Sequence, residues 1–373
     1  MTPHQAASLF LDPDSIVSLQ SMEGGNVNST YLLVDNRQTA YILQRINPEV
    51  FPHPDQVIAN QETVLSFLHA KGKWPGEGQG RELFLFKTKS GKTSVADDQG
   101  GRWRLMNYCH DTHTKTRITT QQTAAAMGQA LGNFHILVSD LDPTLLYDPL
   151  PGFHIAPLYL KEYDRLADRL SHRPNFMDME DDDILFCRRF IDQRRRMVPV
   201  LEQAARQGIL RCQVIHGDPK PANFLFDNIT DQVVALIDLD TVKSGPLLYD
   251  IGDCLRATCN RAGEEATDPG EARFDISLAQ ALLHGYITKA GQLLGPEDIR
   301  LIHTATRLVS FELGLRFFSD HLRGNAYFSV RYPGHNLKRA VLQFHLVKSI
   351  EEKKQDFTAI IEQLTEKLLE GKR

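Results

Sequence analysis

The sequence contains no apolar run long enough to cross a membrane, which takes roughly 18 to 20 uncharged residues. Its first residues lack the charged segment and apolar core of a secretory signal peptide, so we expect none. The net charge of −5 at pH 7 argues against nucleic acid or an anionic membrane surface as the main partner. We therefore expect a cytoplasmic protein.

Cysteine is also scarce, since only five of 373 residues are cysteine and an odd number cannot all pair. Cys254 and Cys259 lie five positions apart, without further cysteine or histidine at the intervals of a zinc site. We expect reduced thiols, some of them buried, and assign them no function. The remaining composition, 42% hydrophobic and 24% charged, is that of a globular protein able to bury a substantial core.

The most informative stretch spans residues 215–241 and reads I-H-G-D-P-K-P-A-N-F-L-F-D-N-I-T-D-Q-V-V-A-L-I-D-L-D-T. Its pattern predicts a short strand, a loop, a hairpin strand and a second strand that ends in carboxylates. The loop carries Asp218 and, five positions later, Asn223. Asp238 follows the second strand directly.

Phosphoryl transfer uses one carboxylate to orient the attacking hydroxyl, and an amide oxygen with a second carboxylate to hold Mg²⁺ against the phosphates. Asp218, Asn223 and Asp238 supply these groups in the chain order of the protein-kinase signature. Alternatively, H-G-D is only a turn in which glycine provides a positive φ and Asp218 caps the loop. The register of the other two residues favours the metal site, with Asp218 as the catalytic base.

Before this stretch, the sequence predicts a small antiparallel sheet. Glycines mark its turns, and its strands after the first two are predicted at Tyr41–Ile46, Leu83–Lys87, Thr93–Ala96 and Trp103–Tyr108. Gly24 and Gly25 interrupt a hairpin within residues 22–34, where backbone N–H groups could approach phosphate oxygens. A plain turn is the alternative.

Two charged residues are candidates for the nucleotide site. Arg45 lies on the strand where a kinase carries its phosphate-pairing cation, and an exposed strand arginine is the alternative. Residues 56–70 predict an amphipathic helix with Asp55 as N-cap, stopped by Gly72. Glu62 on this helix could pair with Arg45 as the corresponding groups do in kinases, or it is a solvated surface residue.

Beyond a predicted hinge at Met106–His110, the pattern becomes helical. We expect His135 to be a core or capping residue, and one long helix over Ile184–Gln207 whose arginines at 194–196 are solvated. Asp250 and Asp253 stand at a predicted helix start, where a buried carboxylate could fix the loop that carries Asp218. Further helices are predicted at Leu282–Leu294, Glu297–Gly314 and Lys338–Leu369.

The segment Phe311–Phe328 combines arginine, carboxylate, amide and aromatic side chains at a predicted helix end. Such a mixture suits a carbohydrate or another polyol, whose hydroxyls need donors and acceptors beside an aromatic ring. Its polar and aromatic members at this helix end are Arg316, Asp320, Arg323, Asn325 and Tyr327.

These motifs resemble the aminoglycoside phosphotransferase-type kinases, and within them the N-acetylhexosamine 1-kinases. The similarity covers E-G-G-N-V-N-S-T-Y, Y-I-L-Q-R-I-N-P-E-V-F, H-G-D-x-K-x-x-N-F-L-F-D, I-D-L-D-T, G-x-L-L-Y-D-x-G-D, R-F-F-S-D-H-L-R-G-N-A-Y-F and R-Y-P-G-H-N-L-K-R-A. It implies an α+β, two-lobed protein-kinase-like fold with a small antiparallel-sheet N-lobe (1–107, nucleotide-binding) and a large, mainly helical C-lobe (108–373, catalytic and substrate-binding).

The resemblance implies ATP- and Mg²⁺-dependent phosphorylation of the anomeric hydroxyl of GlcNAc or GalNAc. It makes Asp218 the catalytic base, which also contacts the substrate, and Asn223 and Asp238 the metal ligands. Asn26, Arg316 and Tyr327 fall where sugar contacts are expected. The predicted nucleotide contacts are Gly24, Gly25, Asn28, Thr30, Arg45, Glu62, Met106 and Tyr108. The usual nucleotide lysine has no obvious counterpart.

Two other functions remain open on the sequence alone. A kinase of the same fold could phosphorylate homoserine, choline or an aminoglycoside, although Arg316 and Arg323 argue against a cationic acceptor. A nucleotide-binding pseudokinase is disfavoured by the intact Asp218, Asn223 and Asp238. We expect the partners to be a sugar and ATP only, and the chain to be a monomer or a weak homodimer.

Overall fold

A computed structural model describes residues 1–22, 27–74, 81–172, 181–266 and 268–370, with side chains up to residue 366. Its largest sheet has six antiparallel strands in the order β1-β2-β3-β6-β4, with β5 also on β6. These strands are β1 (Ile16–Ser21), β2 (Ser29–Asp35), β3 (Ala40–Ile46), β4 (Leu85–Phe86), β5 (Val95–Ala96) and β6 (Arg102–Asn107). The predicted N-terminal sheet is therefore present, with shorter fourth and fifth strands.

Two helices cover opposite faces of this sheet, α1 (Pro3–Phe10) and α2 (Pro54–Lys71). Strand residues alternate between the faces, so Leu43 and Trp103 pack with α1, whereas Ile46 packs with α2. The α2 helix ends at Gly72 in the left-handed conformation, as predicted, but its N-cap is His53. Asp55 lies in the first turn instead, because Pro54 already takes a helix-start position.

The C-terminal part is mainly helical and also contains two small sheets. Its helices are α3 (Gln121–Val138), α4 (Ala156–Ser171), α5 (Asp182–Arg194), α6 (Val200–Arg206), α7 (Leu247–Thr258), α8 (Ile276–Ala290), α9 (Pro296–Arg323), α10 (His335–Glu352) and α11 (Lys354–Glu370). The sheets combine β7 (Thr112–His113), β9 (Phe224–Asp227) and β10 (Val233–Leu236), and β8 (Cys212–Ile215) with β11 (Lys243–Pro246). β6 ends at Asn107, and the next strand, β7, pairs with β9 in the C-terminal part. We therefore propose 107/108 as the lobe boundary.

Four predicted helices have different bounds, and the one expected over Leu282–Leu294 is α8, which begins at Ile276 and ends at Ala290. The helix expected over Ile184–Gln207 is broken into α5, a 3₁₀ turn and α6, because Pro199 lacks an N–H and restricts the residue before it. The α9 helix runs past Gly314 to Arg323, and the expected last helix is two helices, α10 and α11. Arg194 is not simply solvated, since it is paired with Glu351 and stacked over an aromatic ring.

Helices α3 and α8 pack closely enough to require glycine at their contact. A Cβ on Gly128 would overlap the carbonyl oxygen of Leu282, and a Cβ on Gly285 would overlap that of Ala125. The obstructing atoms belong to backbone, which cannot rotate away as a side chain can. These glycines therefore set the distance between the two helices.

We expect Gly128→Ala to lower the free energy of unfolding by about 1–3 kcal/mol, because overpacking costs more than the roughly 1 kcal/mol that alanine gains as a helix former. Gly132→Ala is the matched control on α3, where the added Cβ would come no closer than 3.0 Å to another atom and the loss should be smaller. Urea unfolding followed by circular dichroism measures both. An alanine at 128 that leaves stability unchanged or raised would contradict the packing argument.

Candidate active site

The loop after β8 has a shape that only glycine permits at its centre. Gly217 has φ +89°, and a Cβ there would lie 2.6 Å from the carbonyl oxygen of Thr241. The buried Asp250, in the first turn of α7, accepts hydrogen bonds from the backbone N–H groups of His216 (2.7 Å) and Gly217 (2.8 Å). Asp250 thus fixes the loop before Asp218, as the sequence predicted.

The buried His135 on α3 completes this support. Its Nε2 lies 2.9 Å from Asp250 Oδ2, and its Nδ1 lies 2.8 Å from the Tyr286 hydroxyl. Burial by itself would raise the pKa of Asp250, but the hydrogen bond and charge of His135 outweigh it and lower that pKa. His135 is therefore a core residue that keeps the supporting carboxylate ionised.

Asp218 and Asn223 meet directly. The Asn223 Nδ2 donates to the backbone carbonyl (2.7 Å) and to Oδ2 (3.2 Å) of Asp218. Two oxygens around one amide nitrogen fix the orientation of the amide, and no hydrogen bond to its Oδ1 occurs among the described residues, so this oxygen can serve as a ligand. Lys220 Nζ also donates to Asp218 Oδ2, at 2.6 Å. The Asp218 carboxylate is only a quarter exposed and is oriented by two donors.

Asp238 is brought beside this pair by the hairpin of β9 and β10. The Ile237 N–H donates to the Asn223 carbonyl at 2.8 Å, and Asp238 then adopts a left-handed conformation with φ +64°. Its side chain is exposed on one side, but the protein atoms around the rest of it displace part of its water. This partial loss of hydration raises the pKa of Asp238 to about 7, and the neighbouring Asp240 carboxylate acts in the same direction.

The side-chain oxygens of Asn223 and Asp238 fit a magnesium ion that also binds a nucleotide. An amide oxygen and a carboxylate are hard oxygen ligands, and Mg²⁺ in kinases completes its shell with phosphate oxygens and water. No cluster of three His, Cys, Asp or Glu residues suited to a metal occurs in the described part of the chain. Asp240 lies close enough to Asp238 for the two carboxylates to repel each other, and a bound cation would relieve that repulsion.

Asp240 ties the two regions together. Asp240 is buried, and its carboxylate accepts from Arg104 Nη2 at 2.5 Å and from Asn28 Nδ2 at 2.6 Å. The Arg104 guanidinium also donates to Gln61 Oε1 (2.8 Å) and to the Gln44 side chain (3.1 Å from Nε). One buried arginine of the sheet therefore reaches a carboxylate two residues after Asp238.

The structure corrects the pairing predicted for Arg45. This residue binds Asp97, with Nε 2.5 Å from Oδ2, and no Glu62 contact is described for it. Arg45 lies opposite Trp103 in the β3–β6 register, on the face turned away from α2, whereas Gln44 lies opposite Arg104 on the face towards it. Burial favours a neutral Asp97, but hydrogen bonds from Arg45 and two backbone N–H groups lower its pKa to about 2. Arg45 thus pairs on the face of the sheet opposite to the one that carries Arg104 and its partner Asp240.

Two other residues predicted to contact the nucleotide, Thr30 and Met106, lie on the face of the sheet that carries Arg104. Thr30 accepts a hydrogen bond from Gln44, and Met106 Sδ lies 3.5 Å from Gln61 Nε2, which connects both to the Arg104 network. Tyr108 is half-buried just after β6 and contacts His110 edge to face. Gly24, Gly25 and Asn26 lie outside the described residues.

Arg316 on α9 lies inside a cage of aromatic rings. Its guanidinium carbon is 5.0–5.8 Å from four ring centres, which belong to Phe153, Tyr159, Tyr327 and Phe328. These distances are within the reach of cation–π attraction. Burial disfavours the charge, but Tyr159, Tyr327 and the carboxylates of Glu312 and Asp218 leave the pKa of Arg316 raised. The Asp218 carboxylate is thus close enough to Arg316 for its charge to act on the guanidinium.

The loop that supplies Tyr327 is held by Asp320, whose side chain is 1% exposed. Its carboxylate accepts hydrogen bonds from the backbone N–H groups of Tyr327 (2.8 Å) and Phe328 (2.9 Å). Asn336 on α10 donates to the same carboxylate at 3.0 Å. Asp320 thus positions the rings of the cage and does not itself reach the site.

An antiparallel sheet, a helical region and carboxylates at their junction define the class of small-molecule phosphotransferases with a protein-kinase-like fold. A family model described as "Phosphotransferase enzyme family" (APH) matches residues 18–292. The chain belongs to this family. No described helix is long and apolar enough to cross a membrane.

Solved structures of similar fold include an aminoglycoside phosphotransferase from Alicyclobacillus acidocaldarius, with a TM-score of 0.60 and 16% identity over 98% of this chain and 97% of that one. The choline kinase of Cryptosporidium parvum gives a TM-score of 0.58 and 12% identity over 95% and 94%. The amicoumacin kinase hAmiN, in complex with AMP-PNP, Ca²⁺ and Ami, gives 0.54 and 16% over 93% and 91%. At these identities the similarity establishes the fold.

Proposed function

We propose that the protein transfers the γ-phosphoryl group of ATP, in the presence of Mg²⁺, to the anomeric 1-hydroxyl of an N-acetylhexosamine. The observation that carries this proposal is the aromatic cage beside Asp218, because its cation position is already filled by Arg316. An acceptor that carried an ammonium group would meet this guanidinium. A neutral polyol would instead find N–H donors and aromatic rings.

The roles of the residues follow from their contacts. Asp218 is oriented by Lys220 and Asn223, so its carboxylate can accept the proton of the attacking hydroxyl. Asn223 and Asp238 would hold Mg²⁺, which neutralises charge on the transferring phosphoryl group when it is bound. Arg104, through Asp240, holds the sheet against the strand end that carries Asp238. The family match and the AMP-PNP complex of amicoumacin kinase support ATP as the donor.

A panel of acceptors tests this proposal. The purified chain, ATP and Mg²⁺ are incubated separately with GlcNAc, GalNAc, glucose, homoserine, choline, ethanolamine and an aminoglycoside, and ADP release is followed. We expect the highest kcat/KM with an N-acetylhexosamine. Turnover of choline or an aminoglycoside without turnover of any sugar would overturn the proposal.

The second candidate is a kinase of the same fold with an amine-bearing acceptor. Glu312 favours it, because this buried carboxylate lies one helical turn before Arg316 and could attract an ammonium group. Solved proteins of similar fold also include a choline kinase. The same panel separates the two candidates. A chain that binds ATP but transfers phosphate to no acceptor would instead be a pseudokinase.

Arg316→Met should raise KM for the acceptor about 10- to 100-fold and leave KM for ATP near its wild-type value. Hydrogen bonds to a charged group contribute about 1.5–3 kcal/mol, and methionine keeps the apolar packing of the cage. Arg323→Met, seven residues later on α9, is the control, since Arg323 is exposed and pairs with Glu162. Initial rates at varied acceptor and ATP concentrations measure both constants. Equal effects of the two substitutions would remove Arg316 from the acceptor site.

A further inference from the structure

His154 has an unusual environment between the acceptor helix and the catalytic loop. It is 3% exposed and has φ +64°, a left-handed conformation that costs energy for a residue with a side chain. Its ring lies against Tyr249 with centres 5.2 Å apart and planes 19° apart. Such backbone strain persists only where the surroundings hold the residue in place.

The two ring nitrogens of His154 face two different acceptors. Nε2 lies 2.7 Å from the carbonyl oxygen of Gly217, which belongs to the peptide bond joining Gly217 to Asp218. Nδ1 lies 3.5 Å from the Glu312 carboxylate, which is within ion-pair distance, but it makes no hydrogen bond among the described residues. A carbonyl oxygen can only accept, so Nε2 carries hydrogen in this contact, and a second proton on Nδ1 would face the carboxylate. This arrangement favours the imidazolium form.

Glu312 lies between His154 and the acceptor cage. It is 3% exposed and stands four positions before Arg316, on the same face of α9. A charge on Glu312 is thus felt both by the guanidinium that faces the acceptor and by the imidazolium that faces the catalytic loop. Asp250 fixes the N–H groups of the same loop from the other side.

We propose that Glu312 and His154 are a positioning pair, in which the Glu312 carboxylate holds His154 as an imidazolium whose Nε2–H fixes the Gly217 carbonyl and thereby the peptide that carries Asp218. Through Arg316, the pair links occupation of the acceptor site to the orientation of the base. This inference rests on the proposed phosphoryl transfer to a hydroxyl. His154 acts through Asp218 and touches no reacting atom.

The pair gives the activity a pH dependence of defined sign. Among the described residues, the charge of Asp253 on α7 acts on His154, and Glu312 acts on Tyr159 of α4, Tyr249 of α7, Glu202 of α6 and Arg316 of α9. Burial would lower the pKa of His154, but the contacts with Glu312, the charge of Asp253 and the Gly217 carbonyl outweigh it and raise that pKa. The contribution of the imidazolium is therefore complete at low pH and is lost as the pH rises through the raised pKa.

Three variants test the pair in the full-length chain. His154→Phe keeps an aromatic ring and removes both N–H groups, and we expect kcat to fall about 10- to 100-fold with an unchanged KM for ATP, as for a misplaced catalytic group. Glu312→Gln keeps a hydrogen-bond acceptor and removes the charge, so the alkaline fall in kcat should move to lower pH. Glu202→Gln is the control, because Glu202 is a buried carboxylate bonded to Tyr249 and not to His154.

A second readout needs no acceptor. Long-range ¹H–¹⁵N spectra, with the His154 signal assigned by its loss in His154→Phe, report the protonation of its two nitrogens as the pH is varied. We expect the wild type to remain doubly protonated to a higher pH than Glu312→Gln, and Glu202→Gln to match the wild type.

If His154 titrates at the same pH in the wild type and in Glu312→Gln, the proposed positioning pair is wrong, whichever acceptor the enzyme uses. Failure of every acceptor in the panel would instead affect only the proposed function. If His154→Phe does not fold, Glu312→Gln decides the question by its pH profile. Loss of activity in Glu312→Gln without a shifted profile would reduce Glu312 to a structural role and contradict the proposal.

Discussion

Asp218→Asn is expected to lower kcat by ~10²–10⁴-fold, the usual contribution of a positioned general base. Asparagine has nearly the same shape and keeps one oxygen for the donors from Lys220 and Asn223. It cannot accept the proton of the attacking hydroxyl. ATP binding should persist, because Asp218 is not one of the proposed metal ligands.

Steady-state ADP release measures the loss of turnover, and calorimetry with AMP-PNP and Mg²⁺ measures nucleotide affinity. Asp231→Asn provides the control, since Asp231 lies in the turn after β9 and pairs with Lys115. Turnover within a few-fold of the wild type in Asp218→Asn would remove Asp218 from its assigned role. Loss of AMP-PNP binding in that variant would mean that Asp218 holds the nucleotide or the metal.

Arg104→Met is expected to lower the free energy of unfolding by about 3–5 kcal/mol, the usual cost of removing one partner of a buried ion pair. The Arg104 and Asp240 side chains are 1% and 3% exposed, so the remaining Asp240 carboxylate would have little water to replace the guanidinium. Among the described residues, only Asn28 would still donate to it. Because Asp240 follows Asp238 by two residues, nucleotide affinity in the presence of Mg²⁺ should also fall.

Arg104→Lys separates charge from geometry. Lysine keeps the positive charge but cannot bind Gln44, Gln61 and Asp240 at once, so we expect an intermediate stability. Arg45→Met is the matched control on the neighbouring strand, because Arg45 pairs with Asp97 on the opposite face of the sheet from Arg104. It should cost stability but leave nucleotide affinity unchanged. Urea unfolding that is identical for Arg104→Met and the wild type would show that the buried pair contributes nothing.

Local signals in the sequence predicted which residues of the candidate site lie together. Asp218, Asn223 and Asp238 are close in the chain, and a hairpin between them brings them together with few long-range contacts. The stop at Gly72 was also predictable, because a left-handed helix end favours glycine. The fold class followed from the change of hydrophobic period near residue 107 and from the family resemblance.

Local sequence signals could not identify which arginine of the sheet faces α2. Arg45 and Arg104 both lie on strands, and only the pairing of β3 with β6 shows which of them faces α2. That register joins residues about 60 positions apart, which no local pattern specifies. One available signal was a charged residue at 104 among the apolar residues of a predicted strand.

The aromatic cage around Arg316 was predictable only in part. Arg316 and Tyr327 belong to one compact segment, but Phe153 and Tyr159 come from a proline- and aspartate-rich region without a recognisable motif. His154 lies in the same region, and neither its positive φ nor its contact with Gly217 follows from its neighbours in the chain. Contacts between distant segments decide these positions.

The most direct test of the central claim is ³¹P NMR of the products formed from ATP, Mg²⁺ and a mixture of reducing sugars, with Asp218→Asn as the blank. The proposed function predicts ADP and a single new phosphomonoester signal, coupled to the anomeric proton of an N-acetylhexosamine. A phosphate on another hydroxyl of the sugar, or the same signal from Asp218→Asn, would contradict the account.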